Sequence, residues 1–411
     1  MRLGFYRTNA PWLAAAFLAT FASSFGQTFF IALFAGGIRA DFGLSDGQWG
    51  GLYTAATLGS AAVLVQAGGL VDRLALRPLI LGTTLLYLVA ILAVSQGGTV
   101  WLLGLGVFGL RLAGQGMMSH IGQTAVARWF RANRGRAIAV AVLGYPAGEA
   151  LLPPLAVLAI GAFGWRGGWL AAGAVLALVL VPAILAVITA FGRRRPSGEG
   201  EAVEAPGMDG RHWTRGEALG HWSFWALMPG VLAPGFIGTV VFFHQVHVAE
   251  LRGWDLAVMA AGYPAYAALS VATSLVAGSV IDRVGPVRLL PVYLLPLAGA
   301  ILLLAIDGSE AVWVATLLGI GVSQGVVVTL MTALWPELYG TRHLGGVKAL
   351  ATSATVVATA VGPGLTGALI DLGYALPEQA PAMALWCLAA SGLFAMLAPR
   401  LSARLAPTGA A

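Results

Sequence analysis

Apolar residues in this chain run in long unbroken blocks separated by short polar loops. Segments of roughly the 20 mostly apolar residues needed to cross a bilayer's hydrocarbon core fall at 12–36, 48–68, 78–97, 101–125, 137–160, 168–191, 222–246, 256–278, 287–306, 311–335, 344–369 and 380–398. Six such spans precede a polar stretch at 193–220 and six follow it. The pattern predicts an all-α membrane protein of 12 transmembrane helices, divided into an N-terminal six-helix bundle (1–192), a cytoplasmic linker (193–220) and a C-terminal six-helix bundle (221–411).

Composition sharpens this picture. The 411 residues are 58% hydrophobic and only 10% charged, against about 25% charged in soluble domains. So little charge cannot cover a water-facing surface, and lipid must be the solvent. The 56 glycines and 20 prolines lie largely inside apolar segments, where close helix packing and helix breaks are tolerated. The first span, preceded by Arg2 and Arg7, is longer than a signal-peptide core and reads as a retained span.

The net charge of +6 does not point to nucleic acid, because its distribution follows topology. With the N-terminus inside, eighteen of the 23 basic residues fall in cytoplasmic segments, three fall outside, and Arg111 and Lys348 lie within spans. The positive-inside rule therefore predicts a multi-pass protein of the cell inner membrane with both termini cytoplasmic. Acidic residues divide evenly between the two sides and leave Glu149 alone within the membrane.

The two halves echo each other at an offset of 210 residues. Gly68-x-x-x-Asp72-Arg73 follows span 2 and Gly278-x-x-x-Asp282-Arg283 follows span 8, while Pro153 maps onto Pro363. Gln115-Gly116 and Gln324-Gly325 match within one residue. Parallel six-helix repeats are a transporter architecture, with the site near midplane between halves. The loop Gly68–Arg77 resembles the major facilitator superfamily signature Gly-x-x-x-Asp-Arg-x-Gly-Arg-Arg, departing from it at Ala75 and Leu76. That resemblance implies the major facilitator fold, and a gating latch from Gly68, Asp72, Arg73, Arg77, Gly278, Asp282 and Arg283. Shorter motifs resemble the bacterial monocarboxylate-porter and oxalate–formate-antiporter branch. They are Ala127-Arg128-Trp129-Phe130, Arg134-Gly135-Arg136-Ala137, Gly164-Trp165-Arg166, Thr214-Arg215-Gly216-Glu217-Ala218-Leu219 with Phe224-Trp225, and Gly362-Pro363.

An ionisable group at the bilayer centre costs roughly 2.5–3.5 kcal/mol on the lenient insertion scale, so such groups mark function or pair with each other. Arg111 stands near the middle of span 4 and Glu149 near the middle of span 5. An Arg111–Glu149 ion pair is the expected structural arrangement; a substrate carboxylate gripped by Arg111, or a proton on Glu149, is the functional one. Lys348, the only lysine, lies one turn inside span 11. In the oxalate–formate relatives a span-11 lysine meets the anion with a span-8 arginine, but span 8 here has no arginine, and Lys348 reads as an anchor that snorkels to the surface. Gln27, Gln115, Tyr145, Tyr263, Tyr266 and Gln324 are the neutral candidates for a substrate path, joined by Ser23, Ser24, Thr28, Ser270 and Ser323. Gly144-x-x-x-Gly148 in span 5 reads as close packing, and His244 and His247 as interface histidines without a third ligand at metal spacing.

No phosphate-cradling loop, catalytic carboxylate pair, nucleophile–base set or metal cluster appears, so the expectation is a non-enzyme with no cofactor and no bound metal. The function expected is a secondary active transporter moving a small organic anion, monocarboxylate-like, by symport with protons or by antiport (anion exchange). Its partners are the small-molecule substrate, a proton or counter-anion and the lipid bilayer, with no nucleic acid and a monomeric chain. The alternatives are a proton-coupled drug or metabolite efflux antiporter and, in another class, a transporter-like membrane sensor.

Overall fold

The computed structural model describes residues 2–130, 134–191 and 205–405, and every regular element among them is helical. Eight of its helices are long and apolar enough to span a membrane, nine if one bent pair counts as a single span. That tally and the twelve segments of the sequence describe the same chain. Spans 5 and 6 run together as one 56-residue apolar stretch, Gly135–Ala190, kinked at Gly164 with φ +70°. Span 2 (Asp46–Ala67) is diluted by Gly, Thr and Ser, and the regular α-helix of span 9 is only Leu295–Leu303. Large apolar side chains such as Leu85, Leu178, Leu275 and Leu385 stand 65–76% exposed, as helices solvated by lipid require.

The described chain divides into two compact units. The first holds residues 1–201 together with two segments from the second half of the sequence, Phe242–His247 and Pro363–Ala368. The second holds 202–241, 248–362 and 369–411.

In the first unit, span 1 is broken in the middle. An α-helix ends at Ala22, Ser23–Gly26 tightens to a 3-10 turn, Gln27 is extended at φ −87° and ψ 156°, and helix resumes at Thr28. The halves Phe5–Gly26 and Thr28–Phe42 diverge by 46°. Irregular backbone at membrane depth persists only where protein or water satisfies it, and here glycines let neighbouring helices close over it. A Cβ at Gly26 would collide with the Leu110 carbonyl, and one at Gly148 with Ser24 Oγ. Gly144 abuts the Phe17 carbonyl in the same way, so the Gly-x-x-x-Gly pattern is indeed a packing surface, set against span 1. Asp41 accepts from Trp165 Nε1 (2.9 Å) and Arg166 Nε (3.2 Å), while Arg166 Nη1 donates to the Ser95 carbonyl at 2.7 Å. The Gly-Trp-Arg motif thus ties the ends of spans 1 and 3 to the kink between spans 5 and 6.

In the second unit, Gly321 lies on the Tyr266 backbone and Gly325 on that of Ser270, packing span 10 tightly against span 8. The described part of the linker has folded contacts of its own. From residue 205 it folds onto the ends of spans 10 and 12. Trp213 is buried and donates to the Met208 carbonyl, Arg404 grips the Asp209 carboxylate at 2.8 and 3.0 Å, and Thr214 and Glu217 form a capping box. Residues 193–204 of the expected linker, and residue 192 before it, lie outside the described residues.

Candidate functional site

The centre of the first unit is Arg111, only 2% exposed. It opens a π-helical stretch, Arg111–Met118, inside span 4. π-Segments widen a helix by one residue per turn and recur at functional positions; this one redirects the guanidinium into the break of span 1. Nη1 donates to the Gly26 carbonyl at 3.1 Å, and the guanidinium carbon lies 5.1 Å from the centroid of the Tyr53 ring. The tyrosine's own hydroxyl is 2.6 Å from Thr28 Oγ1. Beside it Tyr87 OH donates to the Ala22 carbonyl at 3.4 Å. Three of the groups freed or shaped by the break are therefore held by one arginine and two tyrosines.

Glu149 is equally buried, at 2% exposure, but it is not among the contacts of Arg111. Its hydrogen-bond partner is Tyr145, one turn earlier on the same helix, and that tyrosine packs edge-on against Phe29 at 6.0 Å. The expected Arg111–Glu149 ion pair is thus replaced by a carbonyl bond and an aromatic face on one side and a tyrosine on the other. The cation is left with buried polar capacity: Arg111 Nε has no hydrogen-bond partner, and neither do Ser24 Oγ and Thr57 Oγ1. Buried polar atoms are satisfied in the great majority of cases, so the unpartnered Nε of this buried cation marks a place for an acceptor.

Of the other sequence candidates, Gln27 caps the resumed helix of span 1 and Gln115 sits half-buried in the π-segment. In the second unit Tyr263 and Tyr266 are buried with ring centroids 6.1 Å apart, Gln324 is half-buried, and Ser323 Oγ lacks a partner. Among the gating candidates, Gly68 ends the span-2 helix and Arg77 is exposed, whereas the side chains of Asp72 and Arg73 lie outside the described residues. Asp282 and Arg283 are exposed in the last turns of Tyr263–Val284, which Gly285 terminates at φ +82°. Lys348 is half-buried in the first turns of Leu344–Asp371. Sequence reasoning missed Tyr53, Thr57 and Tyr87. The first two had a signal: Trp49, Tyr53 and Thr57 follow at intervals of four along one helix face.

The sequence matches the family description Major Facilitator Superfamily over residues 16–363, and again over 264–409. The chain belongs to the Major Facilitator Superfamily, and is a multi-pass membrane transporter of that class. It is 26% identical over 267 residues to a protein of Thermoproteus tenax described as an uncharacterized 38 kDa protein in a 23S RNA operon, a match covering 65% of this chain and 64% of that protein's length. Crystal structures of a bacterial homolog of the human lysosomal transporter Spinster share the fold. The inward-facing, occupied form gives a TM-score of 0.72 at 17% identity over 98% of this chain and 99% of the other, and the inward-facing, unoccupied form gives 0.73 at 17% over 97% and 99%.

Proposed function

We propose that this transporter carries a small organic anion, monocarboxylate-like, across the cell inner membrane by alternating access between two six-helix halves, with both termini cytoplasmic. One observation supports the anion above all: among the described residues, Arg111 is a buried cation whose contacts are a carbonyl and an aromatic face, with Nε unmet and no carboxylate hydrogen-bonded to it. A carboxylate offers four lone-pair sites to a planar guanidinium, and Ser24 and Thr57 add hydroxyls within the same unit. Tyr145 and Glu149 supply a second polar pair, and Gln27 and Gln115 border the break. The resemblance of its short motifs to the monocarboxylate-porter and oxalate–formate branch agrees with that chemistry. Coupling by proton symport or by exchange against a counter-anion completes the cycle in a monomer. The test is thermal stabilisation of purified protein by acetate, lactate and oxalate, repeated on Arg111→Ala. Stabilisation of the wild type that disappears in the variant supports the reading. Equal stabilisation of both removes Arg111 as the ligand, and stabilisation by none of the three removes the anion.

A further inference from the structure

Asp46 is the first residue of the span-2 helix, and three cationic or titratable side chains converge on its carboxylate. Arg39 Nη1 lies 2.7 Å from Oδ2, His247 Nδ1 lies 3.3 Å from the same oxygen, and His244 Nδ1 lies 4.0 Å from Oδ1. The other nitrogen of His244, Nε2, is 3.2 Å from the Pro363 carbonyl and 2.8 Å from Thr366 Oγ1. A carbonyl only accepts, so in the neutral imidazole Nε2 holds the hydrogen and Nδ1 turns a bare lone pair towards the carboxylate. A second proton, placed on Nδ1, converts that opposition into a charge-assisted contact.

We propose that the His244–His247 pair, facing Asp46, is the site where the transporter binds its coupling proton. This rests on the transport reading above and names the coupling ion that it left open. Asp46 acts as the fixed counter-charge. Arg39 Nη1 and His247 Nδ1 both lie on its Oδ2, so its charge is compensated by a guanidinium beside it. The imidazoles, which unlike the carboxylate have a free ring nitrogen lone pair to protonate, are the groups placed to take up a proton against it.

The surroundings convert that proton into a mechanical signal. Segments 242–247 and 363–368 seat directly on the first turns of span 2. Phe243 stacks on Trp49 and tilts against Tyr53, with centroids at 5.8 and 4.7 Å, and Gln245 Nε2 donates to the Phe29 carbonyl at 3.2 Å. Gly50, Gly364 and Gly367 bring backbones so close that none of them has room for a Cβ. Tyr53 is the same residue that carries Arg111 on its face, seven residues along the helix from Asp46, about 10 Å at 1.5 Å per residue. Protonation thus tightens two segments against the helix that also contacts the candidate anion ligand. The charged neighbour on the cluster among the described residues is Arg39 from the end of span 1, and segment 363–368 brings the Pro363 carbonyl and the Thr366 hydroxyl to His244.

Two measurements on the full chain test this. Without any substrate, thermal unfolding of wild type, His244→Gln, His247→Gln and the double variant is compared at pH 5.5 and 7.5. The wild type is expected to melt above the double variant at pH 5.5, with the gap closing at pH 7.5; a gap that does not change with pH overturns the proposal. In proteoliposomes with labelled lactate, the histidine variants are expected to keep lactate exchange and lose accumulation driven by an acid outside. Accumulation equal to the wild type's overturns the proposal. If the wild type neither exchanges nor accumulates lactate, acetate or oxalate, it is the anion reading that fails, and the melting comparison still decides the cluster. His247→Gln, which touches neither Pro363 nor Thr366, keeps the test usable if His244→Gln does not fold.

Discussion

Gly148→Ala puts the packing around the site under direct strain. A Cβ at this position would sit on Ser24 Oγ and 2.6 Å from Ser24 Cβ, about 1 Å inside ordinary carbon–carbon contact. Overpacking of this kind costs about 1–3 kcal/mol, and the better helix propensity of alanine returns about 0.5–1 kcal/mol. The net expectation is a loss of about 0.5–2 kcal/mol. Gly144→Ala should fall at the upper end or beyond it, because its Cβ meets the Phe17 carbonyl and lies 2.7 Å from the Phe21 nitrogen, and backbone cannot rotate away as a serine can. Gly161→Ala on the same helix is the control, with nothing within 4 Å of its Cβ. Thermal unfolding of the three variants in one detergent is expected to order them Gly161→Ala at or above wild type, then Gly148→Ala, then Gly144→Ala. Indistinguishable melting of Gly148→Ala and Gly161→Ala would refute the close contact of spans 1 and 5. Because Ser24 lies in the break that presents the Gly26 carbonyl to Arg111, carboxylate-induced stabilisation should weaken in Gly148→Ala and survive in Gly161→Ala.

Further expectations concern the arginine and the linker. Arg111→Met loses a charge-assisted bond of about 1.5–3 kcal/mol but escapes a desolvation penalty of several kcal/mol; its melting should stay near or above wild type while stabilisation by carboxylates vanishes, and a severely destabilised variant would show that the arginine serves structure. Arg404 holds the Asp209 carboxyl below its ordinary range, principally through their hydrogen bonds. A depressed carboxylate stabilises the docked linker above its unfolded value, near 3.9, and loses that effect as pH falls through the lower folded value. Protection factors for amide exchange at 207–214 should accordingly fall in acid in the wild type, and be low already at pH 7 in Asp209→Asn. Thr214→Ala breaks the capping box and should cost about 1 kcal/mol locally, read as faster tryptic cleavage after Arg215; an unchanged cleavage rate would refute the cap.

How much of this was legible beforehand depends on whether a feature is set locally. The spans follow from apolar runs alone, and Gly144-x-x-x-Gly148 announced close packing although not its partner, span 1. Arg111 and Glu149 stood out because each is a lone charge in an apolar run. Their pairing failed because depth along two helices does not fix azimuth, and the π-segment beginning at Arg111 turns the guanidinium towards span 1. Nothing in Ser23–Gln27 announces a helix break, since the Ala22 and Gly26 carbonyls are satisfied by residues 65 and 85 positions away. Asp46, His244 and His247 were each visible as polar residues near span ends, but about 200 positions separate the carboxylate from the histidines, and only the fold brings them together. The docked linker was not legible because Asp209 and Trp213 find partners in Arg404 and Tyr339, far along the chain.

The proposed transport of a small organic anion held by Arg111 is open to direct measurement. Uptake of radiolabelled acetate, lactate and oxalate into proteoliposomes tests it most directly, with wild type, Arg111→Met and protein-free vesicles side by side. Uptake of at least one of the three by the wild type above vesicles alone, and of none by Arg111→Met, is expected. Uptake by Arg111→Met at the wild-type rate, or no uptake of any of the three by the wild type, would contradict it.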